Sequence, residues 1–318
     1  MRVLVTGANG FIGRALVARL LEGGNTRVRA LVRRPQPPVE GLESVVLPEL
    51  SHAQDWLAAL HGIDVVVHLA ARVHVMREQE ADPLAAFRQA NVGGTLALAR
   101  AAVGHGVRRF VFISSIKVNG ERTPAGRPFT AQDLPDPQDA YARSKLEAEE
   151  GLAQLSGGGH AMQLTVIRPP LVYGPGVGAN FRALMRWLQR GIPLPLGAIH
   201  NRRSLLARAN LIDLIRICLD HPAAANRTLL ASDGEDLSTT ELLRRLGAAL
   251  GSPARLVPVP AAVVQGLAAL AGRRAVAQRL CESLQVDGAA TRALLDWQPP
   301  LRVDEGLAET AAAFRAGT

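Results

Sequence analysis

The chain has 318 residues, 48% hydrophobic and 20% charged, which excludes a disordered polymer and suffices for one large α/β domain with a smaller cap. Its net charge of +8 comes mostly from arginines scattered along the chain, without a basic block or interleaved aromatics. It is therefore read as a solvated basic surface and not as a nucleic-acid interface.

The chain opens directly on an apolar strand at 2–6, with none of the parts of a secretory leader. Further strands are expected at 28–32, 45–47, 65–69, 110–114 and 164–168, several of them continuous Val/Leu/Ile runs. Such runs suit strands covered on both faces. Helical patterns alternate with them at 13–22, 55–60, 83–104 and 140–155, the order of a parallel sheet with crossover helices. After residue 172 the pattern changes. Gly174-Pro175-Gly176-Val177-Gly178 interrupts it, and helices are expected at 211–220, 239–250 and 261–270, with a short strand at 228–231.

No run reaches the roughly 18 apolar residues of a membrane span. The best attempt, 260–272, carries Gln265 and is read as a packed amphipathic helix. The two cysteines, Cys218 and Cys281, have no metal-ligand spacing and fit a reducing cytoplasm. No metal site is expected.

Thr6-Gly7-Ala8-Asn9-Gly10-Phe11-Ile12-Gly13 joins the first strand to the first helix. Gly7 permits a tight turn, Gly10 admits a pyrophosphate to the backbone, and Gly13 lets the helix pack close to the sheet. The helix N-terminus then offers N–H groups to the anion. The expected fold is a doubly wound parallel α/β sheet of Rossmann type with a smaller, mostly helical C-terminal substrate domain. Residues 1–172, with 209–232 interleaved, would form the dinucleotide-binding domain, and 173–208 with 233–318 the cap.

Tyr141-Ala142-Arg143-Ser144-Lys145 places a phenol and an ammonium one helical turn apart on one face. A neighbouring cation is expected to lower the tyrosine towards working pH. The preceding strand, Phe110-Val111-Phe112-Ile113-Ser114-Ser115, ends in two hydroxyls at the carboxyl edge of the sheet.

Together these residues resemble the extended short-chain dehydrogenases/reductases, the NAD-dependent epimerase/dehydratase group. His68-Leu69-Ala70-Ala71 and Asn91-Val92-Gly93-Gly94-Thr95 carry the same resemblance. It implies catalytic roles for Ser115, Tyr141 and Lys145, with Ser114 a structural neighbour. It implies a cofactor site formed by Gly7, Gly10, Phe11, Ile12 and Gly13, by Leu69, Ala70 and Ala71, and by Asn91 and Pro169, joined by Tyr141 and Lys145 at the nicotinamide ribose. Glu49-Leu50 stands near the expected adenine position. Val32 occupies the place where NAD-dependent relatives usually carry Asp, and Arg33 and Arg34 follow it, so NADP(H) is favoured over NAD(H).

The run Arg168-Pro169-Pro170-Leu171-Val172-Tyr173-Gly174 resembles the domain junction of nucleotide-sugar enzymes, although relatives often carry Asn where Leu171 stands. The resemblance implies substrate contacts from Ser115, Asn180 and Arg203. Dehydratases of the group carry acidic residues next to the serine, whereas this chain has Ile116-Lys117, which disfavours elimination. The stretches 113–120, 193–198 and 232–239 resemble bacterial O-antigen enzymes. The expectation is therefore reduction of UDP-4-keto-6-deoxy-N-acetylglucosamine for surface polysaccharide. The alternatives are a UDP-sugar 4-epimerase with bound NAD and, less favoured, a non-catalytic dinucleotide sensor. The resemblance also implies a homodimer built on the helices at 83–104 and 140–155, with Leu96, Leu98, Ala99, Ala102 and Val103 as a candidate stripe.

Overall fold

The computed structural model describes residues 1–48, 56–73, 82–157 and 162–317. Its first half alternates β1 (Arg2–Thr6), α1 (Phe11–Glu22), β2 (Arg27–Val32), β3 (Leu42–Val46), α2 (Trp56–Leu60) and β4 (Val65–His68). Next come α3 (Pro83–Phe87), a π-helical stretch Arg88–Gly93, α4 (Gly94–Gly104), β5 (Arg109–Ile113), α5 (Ala140–Gly157) and β6 (Gln163–Arg168). The helix expected over 83–104 is thus one path carrying a widened turn. The second half adds β7 (Leu171–Tyr173), α6 (Ala179–Gln189), β8 (Arg203–Ala207), α7 (Arg208–Cys218), β9 (Arg227–Leu230) and β10 (Asp236–Leu237). It closes with α8 (Thr239–Ala249), α9 (Ala261–Leu270), α10 (Arg274–Cys281), α11 (Ala289–Leu295) and α12 (Val303–Arg315).

Seven strands form one parallel sheet in the order β3-β2-β1-β4-β5-β6-β9. The direction of winding reverses between β1 and β4, so a crevice opens there beyond the carboxyl ends of the strands. Alternating side chains feed two cores. Val3, Val5, Val65, Val67 and Val111 pack beneath α1 and α7, while Leu4, Val66, Phe110 and Phe112 pack beneath α4 and α5. Each fully buried side chain of this size stabilises the fold by about 1.5–3 kcal/mol. Leu98, Ala99 and Ala102 belong to the second core, with Leu96 and Val103 against it. The stripe considered for dimerisation is therefore occupied by the chain's own sheet.

A three-stranded sheet, β10-β8-β7, was not anticipated from the sequence, nor were α6, α10, α11 and α12. With α6, α8 and α12 it encloses a third core around Tyr173, Phe181, Leu243 and Leu307. α9 forms over the expected residues as an amphipathic helix, with Ala261 and Val264 packed against the third core and none of its residues fully buried. Among the described residues no helix is long and apolar enough to cross a membrane.

Candidate active site

The glycine loop is built as a cradle. Gly7 has φ of +66°, and a Cβ there would lie 2.8 Å from the backbone nitrogen of Ala70. Its carbonyl accepts from Gly10 N at 2.9 Å, and a Cβ on Gly13 would run into that same carbonyl. No side chain caps α1 and its first turn holds no acid, so its N–H groups stay open to an anion. These features fit a dinucleotide pyrophosphate. Phe11 and Ile12 are half-buried in that first turn. Arg208, unremarked in the sequence, lies over the Phe11 ring at 5.0 Å and donates from Nη1 to the Phe11 carbonyl at 3.3 Å. A separation of 197 residues left no local signal for it. Val32 is buried at the end of β2, and Arg33 and Arg34 beyond it are exposed. Glu49 and Leu50 lie outside the described residues.

At the end of β4, His68 is buried between Thr6 Oγ1 at 2.7 Å and Thr95 Oγ1 at 2.8 Å and stacks on Phe112. Burial first, and the Lys145 charge second, push its imidazole down to about 3, so the ring is neutral. Thr6 Oγ1 also accepts from Ala70 N, which ties the half-buried Leu69, Ala70 and Ala71 against the glycine loop. Asn91 is buried and joins three segments. Its Nδ2 donates to Arg72 O and Ser144 Oγ, each at 3.0 Å, and its Oδ1 accepts from Arg72 N at 2.7 Å. Both ends of the amide are committed to joining the segment after β4 to α5, because the π-helical turn points Asn91 at those elements.

β5 delivers two serines to the crevice. Ser114 donates its N–H to Ile167 O at 2.8 Å, and its buried hydroxyl meets no partner. Ile116 N donates to the carbonyl of Pro169 at 3.0 Å, which fixes the tight turn that Ser115 opens. The structure brings Ser115, Tyr141 and Lys145 together. Tyr141 is hydrogen-bonded to Ser115 and meets the edge of Phe87, with ring centroids 6.2 Å apart.

The electrostatics differ from the expectation that Lys145 lowers the tyrosine. Burial and the nearby Asp139 carboxylate push Tyr141 up to about 12, against the Ser115 hydrogen bond. Burial also brings Lys145 down to about 7, opposed by Glu149. The Lys145 Nζ sits 4.2 Å from the centroid of Phe112, so the ring face replaces part of its lost hydration.

Two further pieces escaped sequence reasoning. Glu149 continues the Tyr141–Lys145 face by one more turn and forms a buried, forked pair with Arg168, at 3.0 Å from Nε and 2.5 Å from Nη2. Arg168 Nη1 donates to Asn119 Oδ1 at 2.9 Å, and Asn119 Nδ2 reaches Thr130 O. This network locks α5 to the ends of β5 and β6. Second, Lys117 bridges Glu121 at 2.7 Å and Asp139 at 2.5 Å, while Asp139 also accepts from Ala142 N to start α5. The i to i+4 to i+8 spacing 141-145-149 was the available signal for Glu149.

A cleft of about 1030 Å³ opens beside this trio, between the loop at 119–124 and the α9–α10 hairpin. Asn119 and Gln138 line its inner end, and Gln265, Ala269, Arg274 and Gln278 line its outer wall. Arg203 borders it, donating to Glu282 O at 3.1 Å, and burial together with the Arg279 charge lowers its guanidinium. The cleft wall itself carries both signs of charge, Arg122 and Arg274 with Glu121, Asp136 and Glu282. Asn180 stands exposed on the first turn of α6 and is not part of the cleft wall. Leu171 is exposed, leaving no amide at that junction.

Comparison with known proteins accords with this geometry. Residues 3–230 match the profile of the NAD dependent epimerase/dehydratase family. The chain is 45% identical to a UDP-glucose 4-epimerase of Vibrio cholerae, over 98% of this chain and 95% of that one. It is 31% identical to a UDP-glucose 4-epimerase of Mycolicibacterium smegmatis over 99% of both. The solved structure of MoeE5 in complex with UDP-glucuronic acid and NAD superposes with a TM-score of 0.80 at 26% identity, covering all of both chains. The chain belongs to the NAD dependent epimerase/dehydratase family.

Proposed function

We propose that the chain is a UDP-sugar 4-epimerase working with bound NAD, in place of the ketoreductase expected first from its sequence. The observation that carries this reading is the buried Ser115–Tyr141–Lys145 trio beside an open glycine cradle, in a chain alike over its whole length to a UDP-glucose 4-epimerase. Bound NAD would supply the acceptor, and then the donor, of the hydride at the sugar C4.

The chain's own residues handle the proton. Tyr141, once ionised to the phenolate, takes the C4 hydroxyl proton as the hydride leaves and returns it as the hydride comes back on the opposite face. Ser115 orients the sugar oxygen through its hydroxyl. Lys145, shielded from water, holds the ribose side of the cofactor and completes the charge around Tyr141. Arg203 meets the substrate diphosphate, and Asn180 meets it from the rim. Lys117, tied to both Glu121 and Asp139, keeps those carboxylates from acting as the acid and base of a dehydratase.

A second reading, NADPH-dependent reduction of a UDP-4-keto sugar, is favoured by one observation, the exposed Arg33 and Arg34 beyond Val32. We further take the protein to be a cytoplasmic homodimer serving surface-polysaccharide synthesis. The deciding experiment incubates the protein with UDP-glucose without added cofactor, separates the products, and identifies the dinucleotide released on denaturation. Formation of UDP-galactose with NAD released supports the epimerase. No interconversion, with stoichiometric oxidation of NADPH by a UDP-4-keto sugar, overturns it.

A further inference from the structure

α9 presents an apolar side outward. Its outward residues are Ala262, Val263, Gly266, Leu267, Ala269 and Leu270, with no polar side chain among them. Leu267 is 61% exposed and Leu270 87%, and Val276 in the neighbouring α10 adds a further 52% exposed side chain. Surface leucines scattered singly need no explanation, but here they form a continuous helical stripe at spacing i, i+4, i+7. Along the sequence the charge of this region has one sign only. Between Glu241 and Glu282 the sequence holds no acidic residue but six arginines: Arg244, Arg245, Arg255, Arg273, Arg274 and Arg279. Arg273 and Arg274, both exposed, form the turn that joins α9 to α10 and so flank the stripe directly.

We propose that the α9–α10 hairpin docks on an anionic lipid surface, with Val263, Leu267 and Leu270 entering the interface and Arg273 and Arg274 meeting the headgroups. Among the described residues no helix can span a bilayer, so this is attachment in the plane of the membrane. Charge decides between a lipid surface and a second copy of the chain. A symmetric dimer through this face would bring the arginine pairs of both copies together with no hairpin carboxylate to offset them, whereas an anionic bilayer attracts them. The hairpin is also the outer wall of the cleft, through Gln265, Ala269, Arg274 and Gln278. Docking therefore sets the cleft mouth at the membrane surface. This inference does not depend on which sugar reaction the site performs.

The test is co-sedimentation of the full-length protein with vesicles of phosphatidylcholine, alone or mixed with phosphatidylglycerol. Binding to the anionic vesicles only, weakened by salt, is expected. Leu267→Gln with Leu270→Gln should lower partitioning by about tenfold or more. Arg273→Gln should lower it by roughly fivefold. Because these side chains are exposed and outside the cleft wall, circular dichroism and turnover of soluble substrate should be unchanged. The inference is overturned if anionic vesicles do not sediment the protein, or if neutral vesicles sediment it equally well. It also fails if light scattering shows a dimer that the leucine pair dissolves.

Discussion

The crevice above the large sheet and the hairpin of the cap solve opposite problems. In the crevice, ionisable groups are buried: Lys145 is brought down to about 7, His68 to about 3, and Tyr141 is raised to about 12. Each is held in place by named partners, and burial is the leading cause of each shift. In the hairpin, apolar groups stand in water, and Arg273, Arg274 and Arg279 are its charged residues. Burial of charge marks the proposed site of chemistry, and exposure of hydrocarbon marks the proposed site of docking.

That contrast can be broken most severely at Tyr141. Tyr141→Phe should lower epimerisation by about 10²–10⁴-fold while the fold is kept, measured as initial rates alongside circular dichroism. Next in size is the pair behind it. Glu149→Gln leaves Arg168 buried without its counter-charge and should cost about 3–5 kcal/mol in chemical denaturation. A loss below about 1 kcal/mol would show that the network does not lock α5 as described.

A third test reads the burial of His68 through pH. Its folded affinity for protons lies below that of the unfolded chain, so the unfolded state takes up the proton first as pH falls. Stability should thus be fully present above about pH 6.5, with about 3 kcal/mol lost between pH 7 and pH 4. A His68→Gln variant should flatten that part of the profile. Lys145, also lowered, works in the same direction at higher pH: stability contributed by its neutral form grows as pH rises from about 7 towards 10.5. The smallest effect is expected where nothing is buried. Replacing Arg33 and Arg34 by Ala should leave NAD binding within about threefold and weaken NADP binding by roughly tenfold, read by fluorescence titration.

Much of the crevice was legible in the sequence because its parts are local. The glycine loop, the strand ending in Ser114 and Ser115, and the Tyr141–Lys145 step each fall within one element and its adjoining turn. What escaped depends on distant partners. Nothing near Glu149 announces Arg168, and nothing near Phe11 announces Arg208. Nor does anything near Asn91 announce its partners Arg72 and Ser144, which come from two other segments. The sheet β10-β8-β7 escaped because its strands are short and belong to no alternating pattern.

The π-helical stretch at Arg88–Gly93 carries a consequence of its own. A widened turn houses one residue more than the regular spiral would, so the path before it and the path after it run at different angular phases. α4 can thus seat Leu98, Ala99 and Ala102 on the sheet while Asn91 is separately aimed at Ser144. Removing one residue from this stretch would merge the two phases, so that the helix could keep one of these appointments only by missing the other.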